Sequence, residues 1–334
     1  MTTNAYDNIA NAYHWHLTFL VRSSILVHMN RMDSTKRAQV LSAICEGNSI
    51  RSVTRMFHVG KNTVARLLIE AGEACAEYQD KALRNLKCKR VQCDEIWAYI
   101  GAKDKNVPAD RRDEFGIGSV WTWVALDADS KLCCTWMVGN RDGEAAKEFI
   151  KDLASRLSSR IQLTSDGHRA YVEAVEAAFG SEIDYAMLVK IYGADRQDEA
   201  RYSPADFISC RAVDITGKPD AKHISTSYVE RQNLTMRMCM RRFTRLTNGF
   251  SKKLENHVAA VSLHFMYYNF VRIHQTLRVT PAMAAGVTDR LWEMSDVVAL
   301  LDEREKRMGE ERETWGLERK GSALGSDPAP RFRH

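Results

Sequence analysis

The segment from Ser225 to Arg237 sets one carboxylate, Glu230, two helical turns before Arg237, and the chain then runs on into Arg241, Arg242 and Arg245. Between Arg231 and Lys253 there are seven Lys/Arg and no Asp/Glu. An acid on the same helix face as a train of cations can hold a metal ion beside a phosphate backbone. Two upstream aspartates could complete the ligand set: Asp94, in the run from Val91 to Trp97, and Asp166, in the run from Leu163 to His168. Hard oxygen ligands favour Mg2+ or Mn2+ over zinc. Two such ions, about 3.5 to 4 Å apart, could activate a water or a 3′-hydroxyl and stabilise the leaving oxygen of an in-line phosphoryl displacement. No nucleophilic side chain is then required. With 43 Asp/Glu in the chain, any one acid taken singly is weak evidence. Asp166-Gly167 is also an ordinary turn dipeptide, and Glu95 could replace Asp94. The order of acid on strand, acid on strand, acid on basic helix is what carries the assignment.

The scaffold that must position these acids is written as a series of strands and helices. Arg90 to Ile100, Ser119 to Asp127 and Lys131 to Val138 are rich in Val, Ile, Trp, Tyr and Cys, which predicts strands. A helix from Gly143 to Leu157, a strand from Ile161 to Thr164, a helix from Arg169 to Phe179 and a strand near Tyr185 to Ile191 follow. Hairpin strands succeeded by strands alternating with helices describe an α/β fold: a mixed sheet with helices on its faces. Residues 193 to 224 are rich in turn formers and carry no assigned element. Helices return at Tyr228 to Arg245 and at Leu254 to Arg272. Tyr267, Tyr268, Asn269, Arg272 and His274 read as packing and capping groups for the second of these.

Upstream of the sheet the pattern is wholly helical. Asp33 or Ser34 can cap a helix that runs to Glu46 and stops at Gly47, and Asn48 or Ser49 can cap the next. That second helix lines up Ile50, Val53 and Phe57, and after a Val59-Gly60 turn a third buries Val64, Leu67 and Leu68. Three short helices with a tight turn predict a helix-turn-helix, with Lys61, Asn62, Thr63 and Arg66 facing the major groove. A small bundle for protein contact is the competing reading. The predicted organisation is an extension over 1–28, a helix-turn-helix domain over 30–75, a linker helix over 76–88, a catalytic domain over 89–290, and a charged helix with a disordered tail over 291–334. The eight cysteines form no framework, so reduced thiols in a cytoplasmic protein are expected. Cys88 and Cys93 lack a second pair at finger spacing, so no zinc is expected. The apolar run from Leu17 to Val27 is too short to span a bilayer.

Several words of the chain together resemble a known family. They are Asp94 to Trp97, Leu163 to His168, Thr226 to Arg237, Arg242 to Asn248, Phe250 to Lys253, Tyr267 to His274 and Thr280 to Ala282, with Glu46 to Arg51 and Gly60 to Val64 in the helical part. The chain resembles the DDE-type transposases of bacterial insertion sequences, most closely the insertion sequence one family, over about residues 30 to 300. The resemblance implies a ribonuclease H-like catalytic fold and a triad of Asp94, Asp166 and Glu230 holding two Mg2+ ions. It also implies nicking at transposon ends, then attack of the freed 3′-hydroxyls on target DNA. Arg237 takes the place of a basic residue, often lysine, that contacts end DNA in the family. Arg241, Arg242, Arg245, Lys252 and Lys253 extend that DNA surface. Double-stranded DNA, both terminal repeats and target, and further copies of the chain are the implied partners, at the bacterial nucleoid. The chain enters its helix-turn-helix without the cysteine finger of the best-known members. A non-catalytic DNA-binding regulator and a structure-selective nuclease remain alternatives.

Overall fold

The computed structural model describes residues 32–112, 114–192, 207–244 and 247–323. The predicted extension over 1–28, Arg245 and the last residues of the predicted tail lie outside them. Six strands form one mixed sheet in the order β3-β2-β1-β4-β5-β6. They are β1 (Arg90–Ile100), β2 (Gly118–Asp127), β3 (Cys133–Gly139), β4 (Gln162–Asp166), β5 (Asp184–Tyr192) and β6 (Phe207–Thr216). β1, β2 and β3 pair antiparallel, β4 lies parallel to β1 and β5 parallel to β4, and β6 closes the far side antiparallel. The sixth strand falls in the stretch that the sequence left without an element. It is an edge strand whose Ile208 and Ile215 are exposed, so no buried face imposes the alternation that betrays the other strands.

Helices α4 (Gly143–Arg156) and α5 (Ala170–Phe179) make the crossovers to the two parallel strands. Parallel neighbours require such connections. Both helices bury their apolar stripe on the sheet, where Trp123 of β2 meets Phe149 of α4 and Tyr171 of α5 at ring distances of 5.7 and 5.4 Å. Asp142 caps α4 by accepting from Ala145 N at 2.9 Å.

Upstream, α1 (Ser34–Cys45), α2 (Ile50–Phe57) and α3 (Lys61–Ala82) form the helical unit. Asp33 and Ser49 cap the first two, accepting from Lys36 N and Ser52 N. The polar helix predicted over 76–88 is a continuation of α3, which passes unbroken through residue 75. The reason is tertiary: residues 72–79 lie along α7 (Leu254–Met266). Ser262 Oγ donates to Gly72 O at 2.6 Å, and Gln79 donates to Ser262 O.

The helix carrying Glu230, α6, spans Ser227–Cys239 and stops short of the predicted Arg245. Met240 is extended, and Arg241–Phe243 form a single tight turn. The end of α6 abuts the α1–α2 turn: a Cβ added to Gly47 would sit 3.2 Å from Met238 O. Met240 and Phe243 are both buried beyond it. Arg241 and Arg242 therefore leave the helix face that their spacing implied. After α7, Tyr267–Val271 widen into a π-turn. There Asn269 takes the place of a strand neighbour, accepting from Cys133 N and donating to Cys133 O, both at 3.0 Å. The single turn α8 (Pro281–Ala284) leads to α9 (Met294–Ala323). The start of α9 is a packed element. Val297, Val298 and Leu301 are buried, and Arg37 of α1 donates to Asp302 at 2.5 Å.

Candidate metal centre

The paired register of the parallel strands β1 and β4 ends at Cys93 opposite Ser165. The next residue on each strand is an aspartate, so Asp94, midway along β1, and Asp166, the last residue of β4, lie side by side where the pairing of the two strands stops. Glu95 joins them. One carboxylate oxygen from each of Asp94, Glu95 and Asp166 lies within 4.8 Å of the other two.

Helix α6 is fixed over the same strand. Gln92 Oε1 accepts from Tyr228 N at 2.9 Å and from Val229 N at 3.1 Å. One turn further on, Asn233 Nδ2 donates to Asp94 Oδ2 at 2.8 Å. Gln92 and Asp94 are alternate strand residues and share a face. These contacts set Glu230, in the first turn of α6, beside the aspartates, close enough that its charge raises the Asp94 pKa. Glu230 is not one of the three clustered acids, however. Its Oε1 accepts from Lys190 Nζ at 2.5 Å and from the Thr226 hydroxyl.

Burial pushes the Asp94 carboxyl up to about 7, with Asp166 and Glu230 adding to the rise against the Glu95 N–H and the Asn233 amide. Glu95, whose side chain is 1% exposed, is also pushed up to about 7, by burial and then by Asp166. Arg141 offsets part of this charge. Its Nε donates to Glu95 Oε2 at 3.1 Å, its Nη2 reaches Asp166 Oδ2 at 3.4 Å, and its guanidinium lies over Trp121.

The donor set fits a hard divalent cation. Two unit charges about 5 Å apart repel by about 3 kcal/mol at an effective dielectric of about 20. The buried Glu95 Oε1 makes no well-formed hydrogen bond among the described residues, and the Tyr171 hydroxyl beside the carboxylate offsets its burial only in part. A cation held by Asp94 and Asp166, with Glu95 or Glu230 closing the shell, would relieve both costs.

The predicted DNA-binding residues divide between two grooves and the α3 surface. Lys61 shares a cleft of about 720 Å³ with Arg51, Arg241, Arg242, Lys252 and Lys253, and no acid lines it. Arg237 lines a second groove of about 880 Å³ with Trp97, Tyr99, Lys103 and Arg242. Asn62 and Arg66 are exposed and Thr63 half-buried on α3. Arg242 is half-buried and donates to Ser251 at 3.1 Å, and desolvation lowers its pKa to about 10. Lys252 lies over the Phe250 ring, and Lys253 pairs with Glu255 at 3.3 Å.

Sequence reasoning missed Arg141 and Lys190 as members of the site. Asn233 was visible one turn after Glu230, but nothing local tied it to Asp94. Arg141 precedes the α4 cap, and Lys190 lies in a strand; neither position carries a local signal.

No family model and no curated protein matches the chain. Among solved structures it is similar to a piggyBac transposase synaptic complex with hairpin DNA, determined by cryo-electron microscopy. The identity is 9% and the TM-score 0.37, over 98% of this chain and 84% of that chain. A likeness at that level carries neither fold nor function across.

Proposed function

We propose that this chain is a divalent-metal-dependent DNA transposase of the DDE type. It binds the ends of an insertion sequence, cleaves a strand there and joins the freed end to target DNA, as an oligomer on double-stranded DNA. The observation that carries this reading is the meeting of Asp94 and Asp166 on adjacent parallel strands, where their pairing ends, beneath a helix that brings Glu230 alongside. In the run β3-β2-β1-β4-β5 only β2 is reversed, an arrangement that supports a ribonuclease H-like sheet. The capped helices α1 and α2, the left-handed His58 (φ 53°) and the exposed first turn of α3 support a helix-turn-helix.

Asp94, Asp166 and Glu230 would hold Mg2+ or Mn2+, with Glu95 as a further oxygen donor beside them. When bound, the metal would lower the pKa of an attacking water or 3′-hydroxyl and stabilise the leaving oxygen. Asn233 keeps the Asp94 carboxylate oriented, and Arg141 holds Glu95 and Asp166 in place. The acid-free cleft and the Arg237 groove would bind phosphates and align the strand with the acids.

The test is incubation of the purified protein with the inverted repeats of its own element and Mg2+, scoring cleavage and joining. Asp94→Asn, Asp166→Asn and Glu230→Gln should each abolish cleavage and spare end binding. Unimpaired cleavage by any one removes that residue from the ligand set. End binding without release of a 3′-hydroxyl by the unsubstituted protein would establish a regulator, and cleavage without joining a nuclease.

A further inference from the structure

We infer that Lys190 is a built-in counter-ion for Glu230, holding that carboxylate away from the Asp94–Asp166 pair so that a second metal ion binds tightly only when Lys190 is drawn off. The inference rests on the metal-dependent reading above and concerns how its site fills. Lys190 lies two residues beyond Leu188, the register partner of Asp166 on β5. The two-residue period of a strand returns its side chain to the face of the sheet that bears Asp166. Its side chain is 29% exposed, and its ammonium contacts Glu230 Oε1 at 2.5 Å. The Thr226 hydroxyl donates to the same oxygen.

A carboxylate oxygen has two lone pairs. Two donors on Oε1 leave that atom no free position for a metal, and an ion on the other oxygen would face the positive charge of the ammonium. At the first position Arg141 places one donor on Glu95 Oε2 and a longer contact on Asp166 Oδ2, so each of those oxygens keeps a lone pair, and Asp94, Glu95 and Asp166 already lie within 4.8 Å of one another. The two positions therefore differ in affinity before any DNA arrives. Lysine is a compact charge on a flexible four-carbon stem, and it can exchange a carboxylate for a phosphate oxygen by rotamer changes alone. A DNA phosphate would thus take Lys190, free Glu230 and open the second position. By linkage, the second ion would in turn favour that phosphate contact by the same factor. The protein would stay singly loaded away from DNA, which restrains hydrolysis where no strand is seated.

Mn2+ titration of the full chain by calorimetry, without DNA, tests this. The unsubstituted protein should bind one ion and then a second more weakly by about tenfold or more. Lys190→Met should close that gap by tightening the second ion, and Lys190→Arg should keep it open. Lys190→Gln serves as a second neutral variant should the methionine protein fail to fold. Fluorescence anisotropy with a labelled duplex, in EDTA and in Ca2+, reads the reciprocal coupling, which the neutral variants should lose. Two Mn2+ affinities unchanged in both neutral variants would overturn the role of Lys190. An absence of Mn2+ binding to every protein, the unsubstituted one included, would instead remove the metal-dependent reading itself.

Discussion

Asp94 sits under opposing influences, since burial and two neighbouring acids raise its pKa while a backbone N–H and the Asn233 amide lower it. Asn233 touches the proposed ligand and not the metal, so its loss should act through orientation of Asp94. Asn233→Ala should weaken Mn2+ binding by about 10- to 100-fold, measured by calorimetry; an unchanged affinity would reduce Asn233 to a helix anchor. Glu95 makes a separate prediction about pH. Its folded pKa of about 7 lies above the free-glutamate value of about 4.3. The folded state then holds the proton more tightly than the unfolded state, so the contribution of Glu95 to stability is intact below about pH 4 and lost as pH rises through 7. In EDTA, Glu95→Gln should gain stability over the unsubstituted protein as pH rises across that window, on the order of 3–4 kcal/mol by pH 8. Denaturant melts at several pH values check it, and a pH-independent difference would show that Glu95 does not titrate there. Asp94 and Asp166 were legible as acids on strands, and Glu95 as an alternative to Asp94. That Glu95 joins the pair was not, because it depends on the register of β1 against β4.

At the scale of elements, two helices outside the site, α3 and α7, hold each other in place. α3 and α7 touch so closely at Gly72 that an added Cβ would lie 2.5 Å from Ala259 Cα and 2.6 Å from Ala259 O. Both contacts are with backbone, which cannot rotate away. Gly72→Ala should therefore destabilise the fold by about 1–3 kcal/mol, read from denaturant midpoints; a neutral result would mean that the two helices slide without cost. The boundaries of β1 were readable from composition because seven of its eleven residues are Val, Cys, Ile, Trp, Ala or Tyr. Those of α6 were not. No proline or glycine marks its end at Cys239, and it stops where it meets the α1–α2 turn at Gly47, a contact made across nearly 200 residues of chain.

The whole molecule joins its helical unit, sheet and C-terminal helix through charged contacts as well as apolar ones. Arg304 of α9 reaches Glu73 at 2.8 Å and Glu77 at 2.6 Å on α3, and Arg37 of α1 pairs with Asp302. Arg156 of α4, a helix packed on the sheet, reaches Asp80 of α3 at 2.8 Å, and Lys61 shares a cleft with Arg241. If one duplex crosses this cleft, each cation contributes to the same salt dependence. Lys61→Ala and Arg241→Ala should each reduce the slope of log affinity against log salt by about 0.9, and their double variant by about twice that. A slope unchanged by either would place the duplex elsewhere. No helix among the described residues is long and apolar enough to cross a membrane.

By itself the sequence determined what local physics controls: the strand bounds of β1, the caps to within one residue at 33–34 and 48–49, the two aspartates at strand positions, and the acid-free run after Glu230. Alternation, capping and composition act over a few residues, so they can be read without a fold. The tertiary structure alone decided which charges meet. It set Asp94 beside Asp166 through strand order, brought Lys190 from β5 onto Glu230, and ended α6 before Arg241 and Arg242. Those contacts join residues tens to hundreds of positions apart, where only packing and register, and no local propensity, fix the distance.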